Sequence, residues 1–78
     1  MEEYTDEQVA QDIFATLDSI GIVERVRLIA ESDRTDDEKD ELSRNERHIQ
    51  LKMKKDKFVK GLTKTQADII SALELPSL

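Results

Sequence analysis

The chain has 78 residues, 38% of them charged and 37% hydrophobic, with a formal net charge of −6. A single domain of this length buries only about 60% of its unfolded surface, so its apolar side chains must lie on narrow stripes or share a core with a partner subunit. The absence of cysteine excludes a disulfide framework and a thiolate zinc site.

No apolar run approaches the roughly 18 residues of a membrane span. The opening Met1-Glu2-Glu3-Tyr4 is acidic and polar, the opposite of a secretory signal, so the expected location is the cytoplasm, with no membrane partner. The charge is unevenly divided. Residues 1–41 hold fourteen acids against four bases, and residues 42–78 hold four acids against eight bases. The acidic half opposes non-specific attraction to phosphates, which leaves the second half as the region able to bind nucleic acid.

Thr5 and Gln8 open the first element with capping-box spacing, Tyr4 and Val9 occupy the two staple positions, and Asp6 and Glu7 favour the positive end of a helix dipole. Val9, Ile13, Leu17 and Ile20 recur at helical spacing, widened by Ala10 and Phe14, and Gly21 is a natural stop. The pattern predicts a helix over 6–20. Ile22, Val26, Ile29 and Ala30 continue a helical stripe over 22–31, although Val23, Val26, Leu28 and Ile29 also suit a short strand.

Ser32-Asp33-Arg34 reads as a loop. Thr35 and Glu38 repeat the capping-box spacing, and nothing breaks a helix from there to Lys60, with Gly61 as the stop. Such a helix, 36–60, is about 37 Å long at 1.5 Å per residue. It is apolar on two faces: Leu42, Ile49 and Met53 share one, while Leu51, Phe58 and Leu62 point nearly the opposite way. A two-faced helix is normally sandwiched between neighbours, in its own chain or a second one. The rival reading is a hairpin near 49–59, with Ile49, Leu51 and Met53 alternating as a strand. It lacks the Asn-Gly or Asp-Gly of tight hairpins. Thr63 and Gln66 form a third capping box before a helix over 64–74, which Pro76 limits.

The expectation is an all-α single domain, 1–78: a small bundle of three to four helices (about 6–20, 22–31, 36–60, 64–74) with one long central helix. The expected core is Val9, Ile13, Phe14, Leu17, Ile20, Val26, Ile29, Leu42, Ile49, Met53, Phe58, Leu62, Ile69, Ile70 and Leu73.

Little in the chain suggests chemistry. His48 is the one histidine, with lysines, Arg44 and Glu41 around it at helical spacing, so it lacks the converging ligands of a metal site and the neighbours of a general base. The acidic run Asp33, Asp36, Asp37, Glu38, Asp40, Glu41 lacks the glycine of a calcium loop and is interrupted by Arg34 and Lys39; a helix start accounts for it. Neither glycine belongs to a phosphate-cradling motif. No catalytic residue, metal or cofactor is expected.

Arg44, Arg47, Lys52, Lys54, Lys55, Lys57, Lys60 and Lys64 form a basic cluster with Phe58 as its one aromatic. It has three readings: a complement to the acidic half of the same chain, a contact for an acidic protein, or a phosphate-binding face over 44–64. A helix-turn-helix would fit the layout around Gly61, but its second helix offers no arginine to bases. The function expected is a non-enzymatic protein-interaction module binding another protein or itself as a homo-oligomer. Its contact residues are Leu51, Phe58 and Leu62 with Arg47, Lys54, Lys55 and Lys57. The alternative is a nucleic-acid-binding protein.

The stretch Arg44-Asn45-Glu46-Arg47-His48-Ile49-Gln50-Leu51-Lys52-Met53-Lys54-Lys55-Asp56, preceded by Asp37-Glu38-Lys39, resembles a segment of small uncharacterised proteins of tailed bacteriophages. The shared features are the Arg-Asn, the His before an aliphatic residue and the Lys-Asp. Glu46 and Lys52 depart from it, standing where apolar residues are usual. The resemblance implies a phage-encoded accessory protein in the host cytoplasm and supplies no activity.

Overall fold

The computed structural model describes residues 3–76, and every regular element among them is helical. Helix α1 spans Asp6–Arg27, α2 Asp36–Met53, α3 Asp56–Gly61 and α4 Lys64–Ala72, with a 3-10 turn at Glu31–Asp33 between α1 and α2. The all-α bundle expected from the patterning is therefore present.

All three capping boxes form. The hydroxyls of Thr5, Thr35 and Thr63 accept from the backbone N–H of Gln8, Glu38 and Gln66, whose side chains accept in return from the three threonine N–H groups. Each satisfies two donors that a helix start otherwise leaves free.

The expected stop at Gly21 is not a stop. The helices expected over 6–20 and 22–31 are one helix, α1, because the inward stripe of Val9, Thr16, Ile20 and Val23 continues through Val26, all of them buried. A glycine inside a helix costs roughly 0.5–1 kcal/mol relative to alanine, whereas burying a valine stabilises by about 1.5–3 kcal/mol. Val23 and Val26 thus outweigh Gly21, and the strand reading of 22–31 falls with the stop. Arg34 closes the helix end, its Nε donating to the carbonyls of Val26 and Ile29 at 3.3 and 3.1 Å.

The expected long helix, 36–60, is interrupted. α2 ends at Met53, Lys54 caps it, and Lys55 is extended (φ −91°, ψ 112°) as the chain enters α3. No glycine or proline sits at this break; the two-faced pattern supplies the reason. In a continuous helix Phe58 would point about 180° away from Ile49. The turn at Lys54-Lys55 brings it back inward, and both side chains are fully buried. The hairpin reading of 49–59 is excluded by the same geometry, since Ile49 and Met53 lie within α2.

The ion pairs Arg25–Glu41, Arg27–Glu46 and Asp12–Lys52 show that α1 and α2 run antiparallel. Gly61, at the end of α3, approaches the first half of α1 so closely that a Cβ there would stand 2.9 Å from Val9 Cγ1 and 3.3 Å from Ile13 Cδ1. The other end of α1 meets the end of α4, where Arg27 donates to the carbonyl of Leu73. Glu74 then adopts the left-handed conformation (φ 48°) usual after a helix C-terminus, two residues before Pro76. The main core cluster joins Ile20 and Val23 of α1, Ile49 of α2, Ile70 of α4 and Leu73, with Leu42, Met53, Leu62 and Leu75 packed around it.

Three expected core residues lie outside the core: Phe14, 70% exposed, with Leu17 and Ile69, both 37% exposed. The buried side chains of mid-α1 are instead the small Thr16 and Ser19. Phe14 lies two residues from Thr16 and points nearly opposite it.

Candidate interaction surface

The expected contact residues do not form one surface. Phe58 is fully buried and is the residue by which α3 anchors itself, so it belongs to the core and to no contact face. Leu62 is half-buried against the main cluster. Leu51 is 46% exposed on α2, and Arg47 and Lys54 are exposed. The opposite apolar face of the long helix is thus divided by the break at Lys54-Lys55, which turns two of its three members inward.

Much of the basic cluster is engaged inside the fold. Lys52 donates to Asp12 Oδ2 at 3.1 Å. The Lys55 ammonium stands 4.4 Å from the centre of the Tyr4 ring, within cation–π range. Lys57 donates to the Tyr4 carbonyl at 2.7 Å and pairs with Asp6 at 3.2 Å. These three lysines fasten the acidic start of the chain to α2 and α3. Arg44, Arg47, Lys54, Lys60 and Lys64 form no ion pair among the described residues.

Tyr4 and Asp12, joined by a hydrogen bond and flanked by Lys52, have acid–base behaviour displaced at both partners. Burial, the hydrogen bond to Asp12 and the Asp12 charge push the Tyr4 phenol up to about 12. Burial also pushes the Asp12 carboxyl up, but hydrogen bonds from Tyr4 and Lys52 and the charges of Lys52 and Lys55 outweigh it and hold Asp12 below the usual range.

The signs follow by linkage. Stability from Asp12 is present above the ordinary carboxylate range and is lost as pH falls through its lowered value. Stability from Tyr4 is present below 10 and lost as pH rises toward about 12. Tyr4 is the chain's single tyrosine, so phenolate absorbance reads it directly. An alkaline titration is expected near 12 in the folded protein and near 10 in denaturant; a folded-state midpoint equal to the denatured one would contradict the Tyr4–Asp12 bond.

No cluster of three or more metal-ligating side chains exists among the described residues. His48 is half-buried on α2, its Nε2 enclosed without a protein partner. No helix among the described residues is long and apolar enough to cross a membrane.

Among the described residues, three of the six exposed large hydrophobic side chains, Phe14, Leu17 and Leu28, lie on the outer face of α1. Ala10, Phe14, Leu17, Gly21, Glu24 and Leu28 follow one another at alternating spacings of four and three, the seam spacing of a coiled coil. All are exposed, Phe14 at 70% and Leu28 at 87%. At its far end the seam meets a shallow apolar groove formed with Ile69, Ala72 and Leu73. The sequence carried this signal in those spacings. It was masked because Phe14 and Leu17 also extend the helical stripe that begins at Val9.

Comparison with protein-family models, with characterised proteins and with solved structures finds no match to this chain.

Proposed function

We propose that the protein is a non-enzymatic protein-interaction module that works through the outer face of α1. The observation that carries this reading is the seam itself: Phe14 and Leu28 expose most of their surface, 14 residues apart on one face of one helix. Scattered exposed apolar residues need no explanation, but a periodic, contiguous set on a single face marks a contact surface. An amphipathic helix docking by residues three and four apart is a recurrent mode of protein recognition. The nucleic-acid alternative is weaker, because Lys52, Lys55 and Lys57 are committed within the fold. The finer reading, a phage-encoded accessory or assembly factor, rests on the resemblance of residues 44–56.

Sedimentation tests the proposal with the labelled chain alone and in an extract of its source cells. A Phe14→Glu/Leu28→Glu variant, altered only at exposed positions, serves as control. The wild type is expected to sediment as a complex in at least one setting and the variant as a 9.0 kDa monomer in both. A wild type that stays monomeric in both, or a variant that associates equally well, would refute the reading.

A further inference from the structure

The four helix starts are unequal. α1, α2 and α4 each open on a threonine in a reciprocal capping box, whereas α3 opens on Lys55, whose side chain makes no capping bond. The N–H groups that a first turn leaves free therefore gain nothing from the residue that starts α3. Lys54 is still helical (φ −78°, ψ −13°) and Lys55 alone is extended (φ −91°, ψ 112°), with no glycine or proline to impose it. The break is a rotation at one residue, the kind of element-terminal position that serves as a hinge. Contacts from elsewhere must set it.

The start of the chain supplies such contacts. The Lys55 ammonium stands 4.4 Å from the centre of the Tyr4 ring, and Lys57 donates to the Tyr4 carbonyl at 2.7 Å and pairs with Asp6 at 3.2 Å. Lys55 is the hinge residue itself, and Lys57 lies in the first turn of α3. Tyr4 is held in turn by the hydrogen bond of its hydroxyl to Asp12 of α1, whose carboxylate also accepts from Lys52 in the last turn of α2. Residues 4–6 thus tie α1, the end of α2, the hinge and the start of α3 together.

We infer that Tyr4 and Asp6 form a strap that closes the α2–α3 hinge, and that releasing it lets α3 open while α1, α2 and α4 stay packed. The core is divided in the way this requires. The main cluster is built from α1, α2, α4 and Leu73, and α3 supplies none of it. Phe58 is the one buried residue of α3, so this helix can lift as a unit without emptying the main cluster. Its lifting uncovers Phe58 together with Val9 and Ile13, which lie against Gly61. The first residues of the chain thereby control whether that apolar patch is hidden.

Native-state hydrogen exchange of the full chain tests the strap. The Val59 N–H donates to the Lys55 carbonyl at 3.0 Å and reports opening of α3, while the Ile49 amide reports opening of the bundle. Tyr4→Ala removes the ring and the hydroxyl, and is expected to speed exchange at Val59 about tenfold while leaving Ile49 within about twofold. Lys55→Ala, at an exposed position, is expected to speed Val59 about threefold and stays readable whatever Tyr4→Ala does to the start of α1. The double variant is expected to exchange within about twofold of Tyr4→Ala, because both changes remove the same contact.

Unchanged exchange at Val59 in both single variants would overturn the strap. Effects that multiply in the double variant would overturn it too, since Tyr4 and Lys55 would then act independently. Equal acceleration at Val59 and Ile49 would show that the bundle opens as one body, and would overturn the separate opening of α3.

Discussion

Phe58→Ala is expected to lower the thermal midpoint by roughly 12–40 °C, from a loss of about 3–5 kcal/mol at some 4–8 °C per kcal/mol in a domain of this size. Phe58 is the largest fully buried side chain and the one buried residue of α3. That six-residue helix is too short to persist without packing. Its side chain is what holds the turn at Lys54-Lys55 in place, so truncation both empties a core position and releases α3 from α1 and α2. Thermal unfolding followed by circular dichroism measures it. A midpoint within about 5 °C of wild type, close to the effect of a 1 kcal/mol change, would show that α3 is not anchored by Phe58. For the same reason a charge at Phe58 cannot test a contact surface: loss of binding by such a variant would report unfolding.

Ile49→Ala is expected to cost about 2–5 kcal/mol, with Ile49→Val costing only about 0.5–1.5 kcal/mol. Ile49 is fully buried and is the one buried residue of α2, in the cluster where α1 and α4 also meet. Removing it leaves a cavity that α2, already among the most polar segments of the chain, has no second buried side chain to fill. Chemical denaturation of the two variants separates the outcomes. If Ile49→Ala and Ile49→Val proved equally mild, the cluster would have to relax around the lost atoms and the core would not be centred on α2.

How much of this was legible beforehand depended on whether the signal was local. The three capping boxes could be read from residue pairs three apart, and each appears where expected, because a threonine and its Glu or Gln need only the first helical turn to satisfy one another. Where α1 ends and α2 breaks could not be read that way. Gly21 looks like a stop by composition, yet Val23 and Val26 are buried against the rest of the molecule and carry the helix through it. Lys54-Lys55 has no breaker chemistry, yet the chain turns there because Phe58 is worth more inside than on the far face of a longer helix. Both outcomes are decided by tertiary burial, which local propensity does not report.

The candidate surface moved for the same reason. The two-faced pattern of residues 42–62 suggested a contact face through Leu51, Phe58 and Leu62, and the fold turned Phe58 and Leu62 inward. The apolar residues left over were on α1, where Thr16 and Ser19 occupy the buried positions and Phe14 and Leu17 face outward. The basic cluster resolved toward the plainest of its three readings at Lys52, Lys55 and Lys57, which hold Tyr4, Asp6 and Asp12.

The interaction reading turns on the outer face of α1, and residue-resolved NMR shifts across a dilution series test that face most directly. Concentration-dependent shifts are expected at Phe14, Leu17, Gly21 and Leu28, with Ile49 and Phe58 unmoved. Association accompanied by shifts at Leu51 and Arg47 instead, with the α1 seam silent, would contradict it.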